Sequence, residues 1–406
     1  MVDHSLAEEA AGYLNKLCVE IPGRRTGSDG NRAATGFFAS VASALGWHTD
    51  CPEFACIDWR QEGADLTAAG ERFEAMVSPC SLGGEAQAPL AVISTVEDLE
   101  AACLVGRIVL LCGEIAREQL MPKEFTFYNP DKHKRIVHAL EAALPLAIIA
   151  ATGRNPELAG AVYPFPLIED GDFHIPSVYM TDVEGERLAL HAGQEVHLTI
   201  RAWRSKATGC NVIARKGGHA ARRAVLFAHI DAKEGTPGAL DNASGVTVLL
   251  LLAELLAGYD GGLGIELVAM NGEDYYAAPG ETQWLRLNEG RFGDIVLGIN
   301  LDGVGHRGGR PAYSLYGCSP ELADLIRQVL AAHPAAIEGE AWYQSDHSLF
   351  LMHGIPALAL TSQQFSALWR DVAHTAADRP EIVDPVQLIS IAAALRDLLL
   401  RIESTA

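Results

Sequence analysis

Beyond about residue 205 the chain alternates short apolar runs with amphipathic segments, and this alternation constrains the fold more than any other feature of its 406 residues. Val225 to Ala228, Ile265 to Met270, Ile295 to Leu301, Tyr313 to Tyr316 and Ala357 to Leu360 read as strands. The amphipathic stretches Val246 to Ala257, Glu321 to Ala332 and Val386 to Ile402 read as helices between and after them. Strands that lack polar alternation must be covered on both faces, so the pattern predicts an α/β fold with a mixed, mostly parallel central sheet flanked by helices.

Upstream, residues 5 to about 48 read as two helices joined by the loop IPGRRTGSDGN. Ser28 or Asp29 is placed to cap the second, along which Ala33, Phe37, Val41 and Leu45 recur every fourth residue. The middle has another texture: Arg107 to Leu111 and Ile148 to Ala151 are continuous strand-like runs, and Val196, Leu198 and Ile200 alternate strictly. This β-rich stretch, 58–204, is expected to be a domain inserted into a catalytic domain made of 1–57 and 205–406. At about 100 to 200 residues per domain, the length suits that division.

A formal charge of −21 disfavours nucleic acid and anionic membrane as partners, because both are held mainly by Lys and Arg. The longest apolar run, Val246 to Leu256, is interrupted by Glu254 and falls short of the roughly 20 residues a membrane span needs. The opening MVDHSLAEEAAGYLNKL has no secretory pattern, and eight cysteines lie scattered without a CxxC pair, so a cytoplasmic location with reduced thiols is expected.

Six metal-competent side chains stand out, most of them where apolar stretches end: His229, Asp241, Glu273, Asp274, Asp302 and His374. In an open α/β sheet, ligands gather outside the carboxyl ends of the strands. AVLFA ends at His229, IELVAM is followed by Glu273 and Asp274, and IVLGINL delivers Asp302, so three strands would present these groups on one rim. Singly each has a plainer explanation, such as a helix cap at Asp241. Together they are hard to produce by capping, because clustered carboxylates repel unless a cation neutralises them. Asp231, two residues past His229, is suited to accept the second imidazole N–H.

These residues lie in blocks that resemble the co-catalytic zinc aminopeptidases, metallopeptidase family twenty-eight of clan MH, with relatives among bacterial leucyl aminopeptidases, glutamate carboxypeptidase and glutaminyl cyclase. AHIDAKEGTPGALDNASGV is similar to its His-x-Asp and Asp-Asn-x-Ser-Gly blocks, and PGRRTGSDGNRAA, NGED, NLDGVG, SDHSLFLMHGIPAL and AHTAADRPEIV follow in the family's order. LVGRIVLL and HIPSVYM in the middle resemble, far more distantly, a protease-associated domain. The resemblance implies two zinc ions, with cobalt or manganese as substitutes. It makes Asp241 the bridging carboxylate, gives His229 and Asp302 to one ion and Asp274 and His374 to the other, and makes Glu273 the general base. A tyrosine that stabilises the tetrahedral intermediate in some members falls near AWYQSDH, where Tyr343 is the candidate and Trp342 takes the preceding position. Asp346 and His347 match a block that supports the site. The chain departs from the family at Asp274, where a second Glu is usual, and at YYAAPGETQWL, which replaces the usual GLxGS segment.

The resemblance implies a zinc-dependent exopeptidase acting on a short peptide or amide, foremost an aminopeptidase. A single-zinc acyl transferase of the glutaminyl cyclase kind and a non-catalytic binding protein on the same scaffold are the alternatives. Attack from the carboxyl end would need a cation near the scissile bond, for which Arg307, Arg310 and Arg370 lie close in sequence. A homo-oligomer is compatible with all of these readings.

Overall fold

The structure, a computed structural model, describes residues 4–21, 23–218, 222–333 and 336–404. The chain divides into two compact units, Met1–Cys56 with Thr208–Ala406, and Ile57–Ala207.

In the first unit eight strands form one sheet in the order His48–Asp50, Val212–Lys216, Gly264–Met270, Arg223–His229, Ile295–Leu301, Ala357–Ser362, Pro311–Tyr316, Ile337–Glu338. The four from Gly264–Met270 to Ala357–Ser362 run parallel. Antiparallel neighbours flank them on both sides, so the sheet is mixed with a parallel centre. Arg223–His229 and Ala357–Ser362 are buried at every residue, which explains the absence of polar alternation in their sequences. Helices Asp29–Ala44, Ser244–Leu255, Pro320–Ala332 and Pro385–Ser404 contribute to the apolar layer against the sheet. Ser28 starts the first of these, its hydroxyl accepting the Asn31 N–H at 3.1 Å.

Aromatic packing braces the parallel strands. Phe227 stacks on Phe350 with ring centroids 4.4 Å apart, and Trp284 meets Phe227 edge-on at 4.8 Å. A Cβ at Gly298 would lie 2.4 Å from the Phe350 ring, so only glycine permits this approach. Trp284 is fully buried in that core and therefore lines no substrate pocket.

The second unit also holds an eight-stranded mixed sheet. Gly84–Ile93, Ile108–Leu111, Ala147–Thr152 and Ser177–Thr181 run parallel at its centre, and antiparallel pairs flank them. Apolar cores cover both of its faces, and helices Val96–Ala101, Asp131–Ala143 and Asp182–Ala189 accompany the strands. In the basic run at 132–135 Lys134 and Arg135 are exposed and Lys132 is half-buried, whereas His133 is buried and accepts the Met121 N–H. No helix among the described residues is long and apolar enough to cross a membrane.

Candidate metal centre

The carboxyl ends of the parallel strands bring the predicted residues together. His229 is the last residue of its strand, Asp302 follows Ile295–Leu301, and Glu273 and Asp274 stand on the turn after Gly264–Met270. Asp241 arrives on the irregular segment Ala239–Ala243, ahead of helix Ser244–Leu255. The capping work there falls to its neighbour: Asn242 Oδ1 accepts the Gly245 N–H at 3.1 Å, and Asn242 Nδ2 donates to the Leu301 carbonyl at 2.7 Å. Gly245 allows this, since a Cβ there would lie 2.6 Å from that same carbonyl oxygen. The Asp241 carboxylate is thereby released from helix duty.

Asp241 lies between two histidines. Its Oδ1 is 3.0 Å from His229 Nε2, and its Oδ2 is 3.2 Å from His374 Nε2. Each histidine has a further carboxylate: Asp302 Oδ1 lies 3.7 Å from His229 Nε2, and Asp274 Oδ1 lies 2.9 Å from His374 Nε2. Two half-sites thus share one carboxylate. His374 adopts a left-handed backbone with φ of 59°, a conformation costly for a non-glycine residue and characteristic of side chains held for function.

These atoms fit divalent cations. Ligand-competent atoms of His229, Asp241 and Asp274 lie within 4.8 Å of one another. Asp241 Oδ2 and Asp274 Oδ2 are buried with no hydrogen-bond partner, and the 3.2 Å approach of His374 to Asp241 Oδ2 is ion-pair proximity without hydrogen-bond geometry. Imidazole and carboxylate together are the donor set of zinc.

Electrostatics show the same deficit of positive charge. Burial alone would lower the pKa of both imidazoles. Instead His229 is raised well above its ordinary value by Glu273, Asp231, Asp241 and Asp302, and His374 is pushed up to about 10 by Asp274 and Asp241. Against its burial, Asp241 is held far below the usual carboxylate range by the two histidines. Glu273 goes the other way: burial, then the charges of Asp274, Asp346 and Asp302, raise it well above the ordinary value despite the pull of His229. In the cation-free protein the histidines therefore serve as the counter-ions.

Asp231 has a role different from the one expected. Its Oδ1 lies 3.8 Å from His229 Nδ1, beyond hydrogen-bond range, so it acts on that ring through charge alone. Its carboxylate accepts the backbone N–H groups of Gly272 at 2.8 Å, Glu273 at 3.3 Å and Asp274 at 3.1 Å, fixing the turn that carries Glu273 and Asp274. Tyr343 is not drawn into the cluster: its side chain is 63% exposed and its ring packs edge-on against Tyr316. Trp342 takes the inward position, packed on His347 and Phe365.

Four further residues support the centre. Ser345 donates to Asp302 Oδ2 at 2.7 Å and accepts from Asn300 Nδ2 at 2.8 Å, which leaves Asp302 Oδ1 to face His229. Asp378 accepts the N–H groups of Leu240 at 2.6 Å and Asp241 at 3.0 Å. Buried Arg24 donates to the carbonyls of Leu17, Ile230, Pro237 and Gly238, tying down the loop between His229 and Asp241. Asp378, four residues past His374 in AHTAAD, carried a visible signal as another carboxylate in the same block. Ser345, Asn242 and Arg24 act through tertiary hydrogen bonds that no spacing rule foretells.

Residues 211–399 match the family model described as peptidase family M28. Leucine aminopeptidase 2 of Trichophyton equinum is 27% identical over 204 residues, a stretch covering 45% of this chain and 40% of that protein, so the match spans less than half of the relative's length. Among solved structures, an aminopeptidase from Aneurinibacillus sp. strain AM-1 is similar with a TM-score of 0.74 and 20% identity, over 98% of this chain and 93% of that one. A zinc aminopeptidase from Bacillus subtilis gives a TM-score of 0.72 at 20% identity, over 98% and 94%. A glutaminyl cyclase from Porphyromonas gingivalis gives 0.52 at 17% identity, over 97% and 98%. At these identities the solved structures establish a shared fold, and the similarity to peptidase family M28 covers residues 211–399, a little under half of the chain.

Proposed function

We propose that the protein is a zinc-dependent aminopeptidase that hydrolyses the terminal peptide bond of short peptides. The observation that carries this reading is the carboxylate of Asp241, one oxygen toward His229 and the other toward His374, with Asp302 and Asp274 completing the two half-sites. Two zinc ions held by these five residues would polarise a scissile carbonyl and acidify a water. Glu273 is poised to take that water's proton and pass it to the leaving amine, and its raised proton affinity suits a carboxyl that must hold the proton between the two events. Asp231 keeps Glu273 and Asp274 in place by fixing their backbone.

A small apolar pocket lined by Leu240, Phe365, Leu368, Trp369, Val372 and Ala373 reaches Asp241 and Asp302. Its apolar wall suits an uncharged, hydrophobic side chain next to the bond cleaved. The net charge of −21 favours a substrate bearing a free ammonium group. Arg370 is spent on Asp371 and the Arg307 guanidinium on the carbonyls of Glu381 and Val383, which weakens the case for a carboxypeptidase. A metal-competent side chain at every position of both half-sites also weighs against the single-zinc cyclase alternative. We extend the proposal to the second unit, as a protease-associated-like insertion, and to a cytoplasmic location, which eight free thiols suit.

The test is a comparison of Leu-Ala, acetyl-Leu-Ala and Leu-Ala-amide as substrates of the zinc-loaded protein. Cleavage of the first and third with the acetylated peptide untouched is expected. Hydrolysis of the acetylated peptide alone, or release of a cyclised amino-terminal residue from a glutaminyl peptide, contradicts the reading.

A further inference from the structure

One short loop near the amino terminus holds two of the segments that build the centre. Arg24 fastens the loop between His229 and Asp241 through the carbonyls of Ile230, Pro237 and Gly238, and two residues further on Thr26 reaches the turn that carries Glu273 and Asp274. Thr26 is buried, and its hydroxyl lies 3.2 Å from Asp231 Oδ2 and 3.2 Å from Asn271 Oδ1. Thr26 stands outside 211–399, the stretch similar to family M28.

Asn271 is buried and satisfied without that hydroxyl. Its amide pairs reciprocally with the amide of Asn31, donating at 3.0 Å and accepting at 2.8 Å, and its Nδ2 also donates to the Cys210 carbonyl at 3.0 Å. Asn31 in turn donates to the Arg24 carbonyl at 3.0 Å, which ties the pair to the same loop. The Thr26 hydroxyl has one proton for two acceptors, and a carboxylate draws it more strongly than a neutral amide already in use. Asp231 thereby collects four donors: the Gly272 and Glu273 N–H groups on Oδ1, and the Asp274 N–H and the Thr26 hydroxyl on Oδ2. His229 Nδ1 is buried without a hydrogen-bond partner 3.8 Å from Asp231 Oδ1, so a rotation of the carboxylate toward the ring would be rewarded there at the expense of the turn.

We propose that Thr26 is a positioning residue: by donating to Asp231 Oδ2, its hydroxyl keeps that carboxylate turned toward the backbone of Gly272, Glu273 and Asp274 and away from His229, and so sets where Glu273 and Asp274 stand. The Asn31–Asn271 amide pair is the fixed support beside which it acts. The kinetic consequence rests on the peptidase reading, whereas the placement of the turn does not. Valine at 26 keeps the shape and removes the donor, and serine keeps the donor.

The experiment is hydrogen–deuterium exchange of the chelated protein, read by mass spectrometry on fragments covering the Gly272 to Asp274 turn, joined to steady-state hydrolysis of leucine para-nitroanilide by the zinc-loaded protein. Thr26→Val should speed exchange in that turn by about tenfold to a hundredfold, the range of one lost hydrogen bond to a charged group, while fragments from the strand Ile295–Leu301 exchange as in the wild type. The same variant should lower kcat by about tenfold or more at unchanged KM, and Thr26→Ser should stay within about threefold of the wild type in both measurements. Unchanged exchange in the turn overturns the proposal, as do equal losses in Thr26→Ser and Thr26→Val, or an active Thr26→Val protein with the kcat of the wild type. Faster exchange confined to the turn, in a protein whose wild type is inert toward peptides, upholds the positioning role and overturns the peptidase reading alone. Should Thr26→Val fail to fold, Thr26→Ala, which removes the donor without setting a methyl group against the carboxylate, replaces it with the same expected ordering.

Discussion

Replacing Glu273 by glutamine tests the proposed division of duties between Glu273 and Asp274. The amide matches the carboxylate in size, and the backbone N–H that Asp231 accepts at 3.3 Å is untouched, so the turn and the neighbouring Asp274, the proposed ligand, should keep their places. What disappears is the acceptor to which the proposed mechanism gives the water's proton. General-base catalysis contributes about 10² to 10⁴ in rate, which at about 1.36 kcal/mol per tenfold is about 3 to 5 kcal/mol of barrier. The structure also sets the sign of the stability change. Burial and the charges of Asp274, Asp346 and Asp302 oppose the ionised form of Glu273, and a carboxyl with a raised folded-state pKa costs stability once the pH exceeds its unfolded value. The cation-free variant at pH 7 should therefore melt no lower than the wild type. The assay is kcat on leucine para-nitroanilide with zinc counted in the same sample and Tm measured after chelation. Turnover within tenfold of the wild type at full zinc occupancy refutes the base assignment, and a fall in zinc content refutes the division of labour.

Cation uptake should expel protons. In the cation-free protein His374 is pushed up to about 10 and His229 is also raised, so both are protonated at pH 7, whereas a ligating imidazole must be neutral. Titration calorimetry in buffers of different ionisation enthalpy should show about two protons released per chain at pH 7, with zinc affinity rising as the pH approaches 10. The same protonated histidines stabilise the cation-free protein fully below about pH 6.5, and that contribution fades toward pH 10. Zinc binding without proton release speaks against both histidines as ligands. Ser345→Ala should free Asp302 Oδ2 from its 2.7 Å hydrogen bond and weaken the His229 and Asp302 half-site about 10 to 100-fold, leaving the other half-site unchanged. Competition against a chelator of known affinity reads both sites, and equal weakening of the two contradicts the assignment.

The rim of the first unit was legible because strand periodicity and residue type agree there. Ile265 to Met270, Ile295 to Leu301 and Ala357 to Leu360 are apolar without alternation, as fully covered strands must be, and the structure ends each where the sequence pattern does, within two residues. Asp241 was legible only through its block, since in isolation it reads as a helix cap, a task that the structure gives to Asn242. The short strands His48–Asp50 and Val212–Lys216 escaped notice, because a few residues flanked by charge carry little periodic signal. Asp231 was found but for the wrong partner, since its place two residues after His229 suggested the ring, whereas the turn of the chain at Gly272 brings three N–H groups closer.

The most direct test of the account is to add zinc stepwise to the chelated protein while following both bound metal and leucine para-nitroanilide hydrolysis. Activity that saturates at two zinc ions per chain, with Asp241→Asn losing both ions and all turnover, is the predicted result. Full activity at one zinc per chain, or an Asp241→Asn protein that still binds two, contradicts a centre built around a shared Asp241.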